Sequence, residues 1–199
     1  MKKIVFIILL FTIAANAQSR RVKDVQDFQK KINSEFKDEK ESPLTAEDRE
    51  VFTALEFFPI DTAFIVVAKI ELINDPVTFK MKTTTDRLPE YRTYARASFE
   101  LQGKPFVLNL YQNVNFMDSG DLKDYLFLPF TDKTNGVSSY GGGRFIDLKI
   151  PKKDVITIDF NKAYNPYCAY NPKYSCPIPP SENHLELFVE AGVKDYKKK

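Results

Sequence analysis

The sequence contains no tryptophan, one histidine and two cysteines, and its charges nearly cancel. Structural zinc sites need more histidine or cysteine ligands than this chain offers in a suitable spacing. Neither the Lys-Ser/Thr ending of a P-loop nor the G-x-G-x-x-G fingerprint of a dinucleotide site is present. We therefore expect no metal site and no bound cofactor.

The balance of charge bears on partners. The 29 Lys and Arg residues face 27 Asp and Glu residues, and loss of two N-terminal lysines would make the counts equal. A neutral chain lacks the broad positive field that attracts nucleic acids or anionic membranes. We therefore predict no nucleic-acid partner. The basic run at residues 194–199 is short, which is typical of a solvated C-terminal tail.

A long apolar segment is also missing. The apolar run at residues 4–15 is shorter than the roughly 20 residues that a membrane-spanning helix needs. It follows two lysines and precedes the small residues 15–17, which is the pattern of a secretory signal peptide. We expect cleavage before Gln18, export to the bacterial periplasm or the outside of the cell, and no stable membrane anchor after processing. A retained anchor is the alternative.

Two helices are predicted near the N-terminus. Apolar side chains recur every three or four positions within residues 20–40, which indicates an amphipathic helix. Residues 45–48 resemble a capping box and predict a second helix through about Leu55. The residues expected to face inward are Val22, Val25, Phe28, Ile32 and Phe36 in the first helix, and Val51, Phe52 and Leu55 in the second.

Beyond Pro59 the pattern changes from helical to alternating. Eight segments carry this strand signature: residues 64–72, 77–82, 91–101, 106–111, 125–130, 145–150, 155–160 and 185–191. We therefore predict a mainly β fold, an antiparallel sandwich or barrel of about eight strands with one or two N-terminal helices. One β-rich domain is expected over residues 20–193.

The stretch DFNKAYNPYCAYNPKYSCPIPP, residues 159–180, holds both cysteines and four tyrosines. It contains a loose doublet, because Tyr-Asn-Pro is followed by Tyr and then Cys in residues 164–168 and again in residues 170–176. Asn-Pro starts turns, since proline fixes its own φ and restricts the preceding residue. We call residues 164–177 the doublet loop and expect its tyrosines to pack it.

The two cysteines favour a disulfide in an exported protein. Cys168 and Cys176 would close a loop of nine residues, which the chain-entropy argument values at about 2.5 kcal/mol. We predict this disulfide. Two alternatives stay open: a zinc site, for which the spacing is unsuited, and a nucleophilic cysteine that His184 activates if the pair is reduced.

Several stretches together resemble domain-of-unknown-function family 1684: residues 42–44, 57–61, 140–147, 159–170 and 176–183. The resemblance runs from about residue 25 to Gly192 and implies a single bacterial domain without an established activity. Two positions depart from the family pattern: His184, where the family commonly has Arg, and Val193, where it commonly has Glu. The first departure weighs against a catalytic histidine, and the second against an acid after Gly192.

The run from Tyr140 to Arg144, Tyr-Gly-Gly-Gly-Arg, has two interpretations. The glycine N–H groups would form a nest for an anion, with Arg144 clamping a carboxylate or phosphate. Alternatively, the glycines form a hairpin turn or bulge where no side chain fits.

Two acids lie in predicted strands. Asp147 or Asp159 would bind a metal or pair with Arg144, but a spacing of three places Arg144 and Asp147 on opposite faces of a regular strand. The structural interpretation is an acid at a strand end that accepts backbone N–H bonds.

The third candidate group consists of Asn161, Asn165, Glu182 and Asn183, which lie in or near the doublet loop. These side chains would line a pocket with Glu182 as general base, or would cap local turns. The candidate binding residues are thus Arg144, Asp147, Asn161, Asn165, Glu182 and Asn183. No catalytic residue is assigned, since residue order alone does not identify a triad.

Two functions of different classes fit these observations. The first is an envelope binding or structural domain in which tyrosines of the doublet loop form a platform for a small molecule, glycan or peptide. The alternative is a hydrolase acting on a small anionic or ester substrate, with Arg144 holding the anion and Glu182 or Asp147 as the base. The sequence leaves open whether the chain is an enzyme.

Overall fold

The computed structural model describes residues 2–197, with side chains from residue 18 onward. The side chains of the predicted signal peptide and the last two residues of the predicted tail lie outside the described residues. Among the residues that are described, no helix combines the length and the apolar character needed to cross a membrane.

Within residues 2–197 two helices precede eight strands. The helices are α1 (Lys2–Lys37) and α2 (Ala46–Glu50). The strands are β1 (Ile65–Leu72), β2 (Thr78–Lys80), β3 (Glu90–Leu101), β4 (Lys104–Asn113), β5 (Tyr125–Asp132), β6 (Arg144–Lys149), β7 (Val155–Asp159) and β8 (His184–Leu185). Short 3₁₀ helices span Thr62–Phe64, Val114–Phe116, Phe160–Lys162, Tyr167–Ala169 and Ser181–Asn183.

The strands form one curled sheet, a half-barrel with the order β6-β5-β4-β3-β1-β7. Strand β2 pairs with β3, and β8 pairs with β5. Pairing is antiparallel throughout the described strands except between β5 and β8. The predicted mainly β fold of about eight strands behind an N-terminal helix is confirmed.

The two longest strands, β3 and β4, are joined by a two-residue turn. Leu101 pairs with Lys104, and the residues between them have positive φ angles, 51° at Gln102 and 74° at Gly103. This conformation matches the right-handed twist of the flanking strands. The strands predicted at residues 91–101 and 106–111 therefore form a hairpin.

The sheet is covered on both faces around β5 and β6. Alternation sends Leu126, Leu128 and Ile146 into the main core, together with Ala97 and Leu110. The residues between them point the other way, where a second cluster consists of Met81, Tyr91, Tyr111, Phe127 and Phe145. Strands with a period of two separate these two environments.

Helix α1 packs its apolar stripe beside the doublet loop. Ile32 and Phe36 are buried in a third cluster with Tyr170 and Val193. The ring of Phe36 meets that of Tyr170 edge-on, with 4.8 Å between centroids, a favourable arrangement for aromatic pairs. The amphipathic helix predicted from residues 20–40 is confirmed.

The second helix is shorter than predicted. Thr45 caps it, since its Oγ1 accepts the Asp48 N–H at 3.1 Å, but the helix ends at Glu50. The chain then runs extended, and the Leu55 N–H donates to Asn33 Oδ1 at 2.8 Å instead of to a helical carbonyl. Val51 is consequently exposed, so its predicted inward position is wrong.

The last strand is also shorter than predicted, because β8 stops at Leu185. Beyond it, the Leu187 N–H returns to the Leu185 carbonyl at 2.7 Å. The Val189 N–H donates to Asp132 Oδ1 at 3.2 Å. The N–H groups of Leu187 and Val189 are thus used within a local turn and on a side chain. The described residues 186–191 therefore do not continue the strand-to-strand hydrogen bonding of β8.

Candidate functional site

Arg144 does not face a cleft. Its side chain is fully buried, and its Nη2 donates to Asp132 Oδ2 at 2.7 Å. The guanidinium also donates to the carbonyls of Val189 and Ala191, and it lies 5.4 Å from the ring centroid of Phe130. Burial lowers the pKa of Arg144, while the Asp132 carboxylate opposes that shift. Arg144 thus ties β6 to the C-terminal segment, and this geometry does not support the anion-clamp interpretation.

The glycine run before Arg144 forms a tight turn. Gly143 has a φ of +88°, and a Cβ built there would lie 2.7 Å from both the Phe130 carbonyl oxygen and Pro179 Cγ. Only glycine fits such a position without strain. The geometry supports the turn interpretation rather than an anion nest.

The side chains of Asn161 and Asn165 form hydrogen bonds with backbone groups of distant segments. The side-chain amide of Asn161 accepts the Asp61 N–H at 3.0 Å and donates to the Asp61 carbonyl at 2.9 Å. Asp159 Oδ1 accepts the Asn161 N–H at 3.0 Å, which is the structural role foreseen for a strand-end acid. Asn165 Nδ2 donates to the Lys194 carbonyl at 2.9 Å.

Asn183 bridges two strands. Its Oδ1 accepts the Asn109 N–H at 2.8 Å, and its Nδ2 donates to the carbonyls of Asn109 and Pro129 at 2.9 and 2.7 Å. The neighbouring Glu182 is exposed and accepts the Tyr111 hydroxyl at 3.2 Å. These residues do not converge with Arg144 on one cleft, because the hydrogen bonds of Asn183 and Glu182 involve Asn109 and Tyr111, whereas those of Arg144 involve Asp132 and the C-terminal segment.

The two cysteines are free thiols, so the predicted disulfide is absent from the structure. The Cys168 N–H donates to Cys176 Sγ at 3.1 Å. A hydrogen bond from the Cys176 thiol lowers the pKa of Cys168 to about 6, helped by Tyr140 and Thr84 and opposed by burial. Cys176 retains its proton, because this interaction and burial raise its pKa.

His184 is exposed, and its hydrogen-bond partners are Thr131 and Glu186. Its Nδ1 lies 2.9 Å from Thr131 Oγ1, and its Nε2 lies 3.3 Å from Glu186 Oε2. The hydrogen bonds of Cys168 involve Cys176 and Tyr140 instead. The geometry therefore does not support a Cys168–His184 nucleophile and base.

Asp147 alone among the six candidate binding residues lines a large aromatic opening, which we call the aromatic cleft. It measures about 480 Å³, within the size range of small-molecule sites. It lies on the face of the sheet opposite the main core. Its rings come from Phe28, Tyr91, Phe116, Tyr125, Phe127, Phe145, Tyr164, Tyr167 and Tyr174.

The Asp147 carboxylate is one of two acidic side chains in this cleft; the other, Glu35, pairs with Lys31 at 3.6 Å. The Tyr125 and Tyr164 hydroxyls both donate to Asp147 Oδ1, at 2.7 and 2.6 Å. Burial raises the pKa of both tyrosines, and the charge of Asp147 raises it further. Both hydroxyls therefore remain protonated donors. Asp147 and Arg144 point to opposite faces of β6, as their spacing predicts.

The doublet loop forms one wall of the cleft and is held at both ends. At its entry, Tyr164 and Phe145 exchange two backbone hydrogen bonds of 3.0 and 2.9 Å. At its exit, the Thr84 N–H donates to the Cys176 carbonyl at 2.9 Å. Within the loop, the rings of Tyr167 and Tyr174 pack edge to face at 5.2 Å. The loop thus presents its tyrosines on a fixed backbone.

Comparison with known proteins identifies the chain. A family model described as a protein of unknown function, DUF1684, matches residues 50–194. The chain belongs to this family. A solution NMR structure of an uncharacterised protein from Haloarcula marismortui is 34% identical, with a TM-score of 0.70, and the match covers 90% of this chain and 96% of that one. No curated protein matches the sequence.

The two positions expected to depart from the family pattern, His184 and Val193, have different surroundings. Val193 is buried against α1, and its N–H donates to the Ala163 carbonyl at 2.9 Å. An apolar side chain suits that site better than an acid, which would need a partner there. His184 is exposed, where a change of side chain is easily accommodated.

Sequence reasoning missed most of the cleft. The doublet-loop tyrosines predicted to form a platform do line it, through Tyr164, Tyr167 and Tyr174, but no sequence pattern singles out Tyr91 or Tyr125. One available signal was the unbroken apolar run at residues 126–130. A strand that is apolar on both faces is covered on both faces, which indicates a second buried surface.

A second large cavity, of about 610 Å³, lies beside the C-terminal segment. Six of its lining side chains are charged: Glu56, Asp61, Glu190, Lys194, Asp195 and Lys197. Its two aromatic rings give little apolar surface, so it suits a ligand less well than the aromatic cleft does. Among the described residues, no group of three His, Cys, Asp or Glu side chains could hold a metal ion.

Proposed function

We propose that this chain is an exported binding domain of the cell envelope and that the aromatic cleft is its ligand site. The observation that carries the proposal is the Asp147 carboxylate, held by two tyrosine hydroxyls within an aromatic wall. Apolar walls with a few oriented polar groups are characteristic of sites for small ligands. Export rests on the signal-peptide pattern of residues 1–17.

The anchoring of the doublet loop supports this proposal. Arg87 Nε donates to Ser175 Oγ at 3.0 Å, and its Nη2 donates to the Ser175 carbonyl at 2.6 Å. The exit of the loop is therefore fixed by side chains as well as by backbone. A preformed wall lowers the entropy lost on binding, because fewer groups must be ordered by the ligand.

A ligand screen tests the function. The mature chain is titrated with envelope glycans, peptides and small amphipathic molecules while backbone and tyrosine resonances are monitored. Tyr167→Ala and Tyr174→Ala should weaken binding, since each removes one aromatic surface. Phe188→Ala is the matched control, because Phe188 is an exposed ring that does not line the cleft. If binding responds equally to all three substitutions, the site lies elsewhere.

A hydrolase is the second candidate, and one observation favours it. Asp147, one of the two predicted bases, faces the cleft and is exposed. Arg144 does not reach that site, so the substrate anion would have to be held by another residue. A screen with esters, phosphate esters and glycosides tests this candidate. Activity that survives Asp147→Asn excludes Asp147 as the base.

A further inference from the structure

At one end of the aromatic cleft, Asp147 and two tyrosine oxygens form a group of hydrogen-bond acceptors. The hydroxyl protons of Tyr125 and Tyr164 are both directed at Asp147 Oδ1, so each phenol oxygen presents lone pairs to the cleft. The described hydrogen bonds of Asp147 use Oδ1, which leaves Oδ2 available as a third acceptor. A ligand group that binds here must donate hydrogen bonds.

This end also favours positive charge. None of the ion pairs among the described residues includes Asp147. The ring of Tyr164 meets that of Phe145 edge-on, and Phe116 meets Tyr125 in the same way, with centroids 6.0 and 5.9 Å apart. Aromatic faces attract cations, which adds to the attraction of the carboxylate. An ammonium group supplies both the donors and the charge.

Two cationic side chains, Lys31 and Arg87, also line the cleft, and Lys31 pairs with Glu35 at 3.6 Å. Arg87 is exposed at its margin and uses Nε and Nη2 on Ser175, so its Nη1 can serve a ligand, and a guanidinium has only donors. Tyr91 lines the cleft with Arg87 and Asp147. Burial raises the pKa of Tyr91, the positive charge of Arg87 lowers it, and the negative charge of Asp147 raises it. Both charges therefore act on the same part of the cleft.

From this arrangement we infer that the ligand is a short peptide with a free amino terminus. Its ammonium group binds Asp147, its carboxylate lies toward Arg87, and its apolar or aromatic side chains pack on the tyrosine and phenylalanine rings. A neutral glycan would leave the charge of Asp147 uncompensated. This inference rests on the proposed function, because it assigns a ligand class to the same cleft.

Matched dipeptides test the inference. Calorimetry and NMR titration of the mature chain compare phenylalanyl-phenylalanine with its N-acetyl form, which lacks the ammonium group, and with its C-terminal amide, which lacks the carboxylate. A neutral disaccharide, diacetylchitobiose, is the third comparison. We expect N-acetylation to weaken binding about tenfold or more, since a hydrogen-bonded charge is lost. Amidation should weaken it by a smaller factor.

Two substitutions test which residues cause the effects of N-acetylation and amidation on binding. Asp147→Asn keeps an oxygen for the tyrosine hydroxyls but removes the charge, so the free and N-acetylated dipeptides should bind it equally. Arg87→Gln should remove the difference between the free and the amidated dipeptide. Glu100→Gln is the control, because Glu100 is an exposed acid on β3 that does not line the cleft.

The possible outcomes test the peptide assignment and the proposed binding function separately. If the N-acetylated dipeptide binds wild type as tightly as the free one, the peptide assignment is wrong. If the disaccharide binds in a way that depends on Tyr167 and Tyr174 while dipeptides do not bind, the assignment fails and the binding function stands. If neither dipeptides nor disaccharide shift any resonance of the cleft, both proposals fail.

Discussion

Arg144 and Asp132 form an ion pair of 2.7 Å in which neither side chain is exposed to solvent. Asp132 Oδ1 also accepts the Thr134 N–H at 2.8 Å, so the pair fixes a turn as well as two strands. Removing one partner of such a pair leaves a buried charge without compensation. The stability of the fold should therefore depend strongly on Arg144.

We predict that Arg144→Met lowers the free energy of unfolding by about 4 kcal/mol, because the Asp132 charge stays buried. Urea unfolding followed by circular dichroism measures the change. Arg92→Met is the control, since Arg92 is only partly buried and pairs with the neutral side chain of Gln112. An equal loss in the two variants would contradict the role assigned to Arg144.

Gly143 should be far less tolerant of alanine than Gly141. Gly143→Ala should lower the free energy of unfolding by about 2 kcal/mol or more, because the residue has a positive φ and its Cβ would collide with the Phe130 carbonyl. Gly141→Ala should cost about 0.5 kcal/mol or less, since the nearest atom to its Cβ lies 3.8 Å away. Thermal unfolding of both variants measures the two losses of stability. If the glycines served as an anion nest instead of a tight turn, the two variants would not need to differ in stability.

Cys168 should react with iodoacetamide at unusually low pH. Its pKa of about 6 makes it mostly thiolate at pH 7, and the thiolate is the reactive form. The alkylation rate should rise with pH and reach half its maximum near that pKa. Cys176→Ala should move the midpoint upward, because the hydrogen bond that lowers the pKa is lost.

Mass spectrometry of the unreduced protein checks this prediction and the state of the cysteines together. One readily alkylated sulfur at Cys168 and a slower one at Cys176 are expected, in line with half-buried and buried positions. Protein purified from the cell envelope that reacts only after reduction would instead contain a bond between the two residues.

Asn183→Ala should lower the free energy of unfolding by about 3 kcal/mol, because the Asn109 N–H and two strand carbonyls lose their partner in a buried position. Asn74→Ala provides the comparison, since Asn74 is exposed and should change stability by about 0.5 kcal/mol or less. Chemical denaturation of the two variants measures the difference. Similar values would mean that the bridge between the strands contributes little.

The signal-peptide proposal predicts a mature amino terminus at Gln18. Terminal sequencing of protein from the envelope fraction of a bacterial host measures it directly. A replacement of Ala15 and Ala17 by bulky residues should block cleavage, because the processing site requires small side chains. An envelope protein that begins at Met1 would indicate a retained anchor.

The strands could be predicted because their signals are local. Alternation at residues 91–101 and 106–111 placed β3 and β4 with ends within two residues of those observed. The length of β8 could not be predicted in the same way. Val189 bonds to the side chain of Asp132, a partner 57 residues earlier in the chain, and no local pattern reports such a contact.

The site was predictable only in part, for a similar reason. Asp147 drew attention as an acid beside apolar residues, and its spacing from Arg144 correctly separated their faces. Arg144 contacts its buried partner Asp132 because of the way in which β5 and β6 pair, and a local sequence does not report that pairing. Arginine in a glycine-rich run has the same local sequence whether it binds a ligand or a buried carboxylate.

The division of β5 and β6 between two faces has a consequence for how relatives of this chain diverge. Phe127 and Phe145 can change without disturbing Leu126 and Ile146, which pack on the other side of the same strands. Under the proposed function, ligand preference can therefore drift during evolution while the scaffold is preserved. Relatives that share a ligand should be recognisable by the side chains at positions 91, 125, 147 and 164 rather than by overall identity.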